Sequence, residues 1–346
     1  AKISLTAALN ASNLAQDPWY ERVLREYFPP EITRRFDALL DSHPLRDRII
    51  NTVACNHLIN IGGITVVFRA IEETGAQPID VMRAATVSME VFKIAEVAER
   101  INALDGQVTT DLQSRLHVEN RRLLDRSIRW FLQNRGGAVN VSAEIDQFSS
   151  VVQSYAHLVP QSLQGAEADR LRRLTTTFEQ DGAPADLAAA IAVNMDLFSL
   201  LDITDISTRS GEDPATVIPL YFTISERYDM DRTLFRITAL PRSDRWNALA
   251  RQALRSDLYS VVAALTARVV RFTDPNLPPL ERVMAWERAH AAGLARSRAT
   301  LDEVASQEEV DLATLSVALR VLRTLVAQGT SRASNTNPTG AGTPTH

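Results

Sequence analysis

With 346 residues, 45% of them hydrophobic and 23% charged, the chain can bury a sizeable core as one large domain or two ordinary ones. Its formal net charge of −5 gives no support for a nucleic-acid surface. A single cysteine, Cys55, excludes an internal disulfide and any cysteine-rich zinc site, and makes the cytoplasm the expected compartment.

The chain opens "AKISLTAALN", without a signal-peptide cleavage pattern. It also opens without Met, so a fragment of something longer is expected. "PPEITRRFDALLDSH" (29–43) has prolines at a helix entrance and apolar residues at Ile32, Phe36, Leu39 and Leu40. "PLRDRIINTVACNHLI" (44–59) follows, with Pro44 at the next entrance. The helical period returns over 108–135, 142–158, 166–181, 184–209, 213–228, 243–272 and 279–327. Strand-like alternation is absent, and Gly75, Gly106, Gly136, Gly182 and Gly211 fall at junctions. The expected fold is all-α, a multi-helix bundle. No apolar run is long enough to span a membrane. The tail 328–346 lacks apolar periodicity and is expected to be disordered.

One stretch repeats. "TGAQPIDVMRAATVSMEVFKIAEVAERINAL" (74–104) and "SGEDPATVIPLYFTISERYDMDRTLFRITAL" (210–240) align without a gap, matching Gly75 with Gly211, Pro78 with Pro214, Glu90 with Glu226 and Ile101 with Ile237. Each is followed by a long arginine-bearing helix. An internal duplication of a unit of roughly a hundred residues is expected. The chain then divides into a helical lead-in at 1–43, a first copy at 44–141, linking helices and a second copy at 142–275, C-terminal helices at 276–327 and the tail. Residues 1–327 are expected to form one compact module.

The segment "NHLINIGGITVVFR" (56–69) interrupts this regularity. Asn56 and Asn60 continue the stripe of Leu45, Ile49 and Val53, so both are expected to be at least half-buried. Buried amides need partners, and the backbone groups freed where Gly62-Gly63 breaks the helix would supply them. A ligand pocket made by Asn56, Asn60 and Arg69 is the competing reading. On the helix 108–135, Arg115, Arg122, Arg126 and Arg129 share a narrow angular range beside Leu112, Leu116, Leu123 and Trp130. That face is either solvated and paired along its own helix or an interface to an acidic surface of another domain or subunit.

Catalytic constellations are missing from the sequence. There is no HExxH, no Gly-Lys dipeptide for a phosphate loop and no G-x-S-x-G elbow. "HVEN" (117–120) reads as a solvated helix face, His57 as a core or boundary residue, and the acidic pairs Glu72-Glu73 and Glu308-Glu309 as surface charge. Lys2 and Lys93 are the only lysines, and neither sits in a glycine-rich loop. No catalytic, cofactor-binding or metal-ligating residue is expected in this chain.

From Ala1 to about Leu325 the residues resemble the C-terminal region of the large bacterial NAD-specific glutamate dehydrogenases. The markers are Tyr27-Phe28-Pro29, Asn56, Asn60, Gly62-Gly63, Arg69, Glu73-Thr74-Gly75, Arg129-Trp130-Phe131-Leu132 and Asp244-Arg245-Trp246. Alanine richness and arginine-for-lysine usage point to a high-GC bacterium, such as an actinobacterium. The resemblance implies a parent enzyme that oxidises L-glutamate to 2-oxoglutarate with NAD as hydride acceptor. It implies a catalytic lysine and dinucleotide fold in a core upstream of this helical region, and a structural, contact-making or regulatory role here. Asn56, Asn60, Gly62, Gly63, Arg69, Trp130 and Trp246 are then structural markers, and Arg115, Arg122, Arg126 and Arg129 a candidate interface. The implied partners are the catalytic core of the same chain or neighbouring subunits of a homo-oligomer, with neither nucleic acid nor membrane. A stand-alone helical scaffold or adaptor is the alternative.

Overall fold

The computed structural model describes residues 2–137, 139–241, 243–307 and 310–328. Among them there are helices and no strands. The expected disordered tail lies outside the described residues apart from Gln328, as does the pair Glu308-Glu309.

In chain order, α1 (Lys2–Asn10) leads through two short 3₁₀ turns to α2 (Glu21–Tyr27), α3 (Pro30–Leu40) and α4 (Arg46–Gly62). Next come α5 (Val66–Thr74), α6 (Pro78–Val91), α7 (Ile94–Asn102) and α8 (Thr110–Arg135). Then follow α9 (Val141–Tyr155), α10 (Val159–Ser162), α11 (Gly165–Gln180), α12 (Ala185–Ala192), α13 (Asn194–Leu197) and α14 (Ser199–Ser210). The rest is α15 (Pro214–Arg227), α16 (Met230–Ala239), α17 (Arg245–Phe272), α18 (Pro279–Ala289), α19 (Ala291–Ala305) and α20 (Leu312–Gln328). Local chemistry marks many of these starts. Thr109, Asn140, Asp213 and Asp244 each accept a backbone N–H at the entrance of α8, α9, α15 and α17. Prolines open α3, α6, α15 and α18.

The long runs 184–209 and 279–327 each break into three helices. The apolar period persists across the breaks, so pattern alone could not place them. After α18, the His290 ring stacks on Trp286 with centroids 4.6 Å apart. After α19, the Arg236 guanidinium donates to the carbonyls of Val304 (2.9 Å), Ala305 (2.8 Å) and Gln307 (3.3 Å). A distant side chain thus caps the carbonyls that a continuing helix would have satisfied.

Residues 1–327, expected as one module, separate into two compact units. The first comprises residues 1–161 and 168–204, and the second residues 162–167 and those from 205 on. The expected boundary at 142 falls inside the first unit because the linking helices share its core. Phe178, Leu187 and Ile191 pack with Ile101, Leu112 and Leu116. In that unit α6 packs against α1, α4, α5, α8 and α9, and α8 also packs against α7, α12 and α13. In the second unit α17 packs against α15, α16, α18 and α20. There Arg282, 1% exposed, is held by both carboxylate oxygens of Glu212 at 2.5 and 3.0 Å.

The two repeated stretches have the same local geometry. Gly75 (φ 71°) and Gly211 (φ 76°) are left-handed and each donates its N–H back into the preceding helix at 2.8 Å. Pro78 and Pro214 each begin a 14-residue helix. Lys93 (φ 53°) and Asp229 (φ 51°) then open α7 and α16, and they are the non-glycine residues with positive φ among the described residues.

Candidate functional site

The interrupted segment 56–69 is a corner. Helix α4 runs through Gly62, and α5 leaves at 89° to it. The two glycines do different jobs. Gly63 has φ 86° and ψ 161°, a conformation that L side chains rarely adopt, with open space around its Cα. Gly62 is buried, and an added Cβ would lie 3.0 Å from Val66 Cγ1 and 3.4 Å from Leu124 Cδ2. One glycine makes the turn and the other lets α8 approach.

The asparagines do not supply the corner. Asn60 is exposed, correcting the expectation that it is buried, because α4 turns a different side inward, the one carrying Ile50, Asn51, Ala54, Leu58 and Gly62. Asn56 is half-buried, and its Oδ1 is buried without a protein hydrogen bond. The freed carbonyl of Ile61 is satisfied by α8: Arg121 Nε donates to it at 3.0 Å. The pocket reading also lacks its third member, since Arg69 pairs with Asp125 at 3.2 Å. One amide that does serve a helix junction is Asn120. It is buried on α8 and donates to the Ile94 carbonyl at 2.9 Å, beside the left-handed Lys93. Its place among Leu116, Leu123 and Leu124 was a readable signal; Arg121 looks in sequence like any surface charge.

The four arginines of the candidate interface on α8 divide. Arg115 pairs with Asp111 at 3.0 Å and with Asp181. Arg122 is exposed and pairs with Glu119 on its own helix. Arg126 is half-buried and lies in the field of Asp196. Arg129 is buried, bonded to Glu73 of α5, and 3.5 Å from Asp125. Burial opposes its charge, but Asp125 and Glu73 more than offset this and hold its pKa above the ordinary value. The expected guanidinium interface is therefore largely consumed inside the first unit, with only Arg122 mainly in solvent. Glu73, Arg69, Asp125 and Arg129 form one network tying α5 to α8.

Beside it, Asp196 of α13 is buried and receives Arg170 Nη2 at 2.5 Å. Burial raises its pKa to about 6, while Arg170 and Arg126 pull the other way. The two tryptophan markers also part company. Trp130 packs edge-on against Phe131 and Phe148 and donates Nε1–H to Asp202 at 2.7 Å. Trp246 is 74% exposed in the first turn of α17, with the Arg245 guanidinium 5.6 Å from its ring.

This constellation is built of ion pairs, caps and close-packed glycine. Tested against the dinucleotide that the resemblance implies for the parent, these residues do not fit. Among the described residues there is no strand to end in a glycine-rich phosphate turn. No group of three or more His, Cys, Asp or Glu is arranged around a metal position there either.

Comparison with known proteins follows the same lines. The family model for the C-terminal region of glutamate dehydrogenase matches residues 1–324. The chain is 34% identical over 322 residues to an NAD-specific glutamate dehydrogenase of Mycobacterium tuberculosis, covering 93% of this chain and 20% of that protein. An NAD-specific glutamate dehydrogenase of Pseudomonas aeruginosa is 31% identical over 325 residues, 94% of this chain and 20% of its own. One of Halomonas elongata is 29% identical over 322 residues, 93% and 20% respectively. The chain thus spans about a fifth of the length of these relatives. Its matched span and these identities place the chain in the glutamate dehydrogenase C-terminal family.

Proposed function

We propose that this chain is the non-catalytic C-terminal helical region of an NAD-specific glutamate dehydrogenase. The parent reaction converts L-glutamate, NAD and water to 2-oxoglutarate, ammonium and NADH. The observation that carries the reading is a match over nearly the whole chain to about one-fifth of each NAD-specific relative, by a region whose described residues form helices. In this reading the hydride acceptor and the reacting groups are held upstream, and this region binds no NAD. It contributes by packing on the dehydrogenase core of its own polypeptide, within a cytoplasmic homo-oligomer. The matching caps at Gly75 and Gly211, and the matching turns at Lys93 and Asp229, support a duplicated unit as its scaffold.

The experiment is a direct comparison. The full-length polypeptide should form NADH from glutamate and NAD, and this 346-residue chain alone should not. Glutamate-dependent NADH formation by the purified chain, above a contaminant control, would overturn the division of labour.

A further inference from the structure

Helix α3 is amphipathic, but its apolar side is not turned inward. Arg25 of α2 donates to Asp37 at 2.8 Å and to Asp41 at 3.2 Å, and Thr33 Oγ1 donates to the Arg25 carbonyl at 3.0 Å. These polar contacts turn the side carrying Thr33, Asp37 and Asp41 toward α2, and Leu40 beside them is buried. Ile32 and Phe36 lie one turn apart on a different side, and Leu39 follows the kink that Phe36 makes (φ −124°, ψ 16°). They are 38–63% exposed. Tyr27 before the helix and Leu45 after it are 56% and 51% exposed. Scattered exposed leucines need no explanation, but five large apolar residues gathered on one short helix and its two ends do.

We infer that the exposed apolar residues of α3, Ile32, Phe36 and Leu39, with Tyr27 and Leu45 near its two ends, form the surface on which the upstream dehydrogenase portion of the same polypeptide docks. The inference rests on the proposed function and adds the surface.

Two observations select this occupant. The family is a C-terminal one and the chain covers 20% of each relative, so the greater part of such a polypeptide lies outside this region, on its N-terminal side. The second is area. With about 150–250 Å² for a whole large side chain, the five residues expose roughly 370–620 Å². That matches one side of a contact between domains of one chain, which buries about 600–1,500 Å² in total. It falls short of the roughly 800 Å² per partner of a stable association between separate molecules. A covalently linked neighbour is present at an effective concentration in the millimolar range, so a modest face suffices.

The test is hydrogen-exchange mass spectrometry on the full-length polypeptide and on the 346-residue chain, following peptides over residues 30–45. Exchange there should be at least about tenfold slower in the full-length protein, the protection expected of a docked helix. The pair Ile32→Ser with Leu39→Ser should remove that protection in the full-length protein and leave the circular dichroism of the 346-residue chain unchanged. Equal exchange in both proteins, alongside normal glutamate turnover by the full-length one, would overturn the docking surface and leave the proposed function standing. Protection that grows with concentration of the shorter chain would name a second copy as occupant and overturn the inference. Absence of glutamate turnover by the full-length protein would remove the functional reading, and this occupant with it.

Discussion

Arg121 of α8 donates its Nε–H to the carbonyl of Ile61 at 3.0 Å, across the corner where α4 ends. In a continuing helix that carbonyl would accept from the residue four places on, but the chain has turned away at Gly63. A residue sixty positions downstream therefore completes a turn that the local sequence only begins.

The two corner glycines should respond differently to substitution. Gly63→Val places a β-branched residue at φ 86° and should cost roughly 1–3 kcal/mol. Gly62→Val should cost a similar amount through crowding against Val66 and Leu124, whose side chains lie 3.0 and 3.4 Å from the added Cβ. Asn60→Leu, on an exposed position, should stay within about 0.5 kcal/mol of wild type. Urea titrations of the three variants check the order; equal midpoints for Gly63→Val and wild type would mean the corner tolerates a side chain.

Arg129 and Arg122 should separate in the same way. Arg129→Ala leaves Glu73 and Asp125 without their buried partner and should cost about 3–5 kcal/mol. Arg122 is solvated, so Arg122→Ala should change stability by less than about 0.5 kcal/mol. Thermal melts decide it, and comparable losses in both variants would show that the arginine face acts as one unit.

Trp130→Phe keeps most of the aromatic packing with Phe131 and Phe148 but removes the donor to Asp202. A loss of about 1.5–3 kcal/mol is expected, the contribution of a hydrogen bond to a charged group. A melt indistinguishable from wild type would assign the value of Trp130 to packing alone.

Asp196 sets a pH dependence whose sign follows from its raised pKa. Between the ordinary value of 3.8 and the folded value of about 6, the native state holds the proton more tightly than the unfolded chain. Stability from this group is therefore greatest at low pH and falls as pH rises through that window, by about 1–3 kcal/mol. Relative to Asp196→Asn, which cannot ionise, wild type should lose stability between pH 4 and pH 7. Parallel stability curves across that range would contradict the raised value.

The all-helical class, the prolines at the entrances of α3 and α6, and the placing of Gly75 and Gly211 at helix junctions were legible in the sequence because each rests on local physics. Periodicity reports which face is apolar, and a missing N–H or Cβ restricts a backbone wherever it occurs. The family was legible for the same reason, through unbroken runs such as Arg129-Trp130-Phe131-Leu132. Which arginines face solvent was not: Arg122 and Arg129 lie on one side of α8, and only the approach of α5 with Glu73 buries the second. Nor could pattern show that α3 turns its apolar side outward, since that depends on Arg25 drawing Asp37 and Asp41 toward α2. Helical spacing assigns residues to faces. Which face is covered depends on elements brought beside it by the rest of the chain, and that information is tertiary.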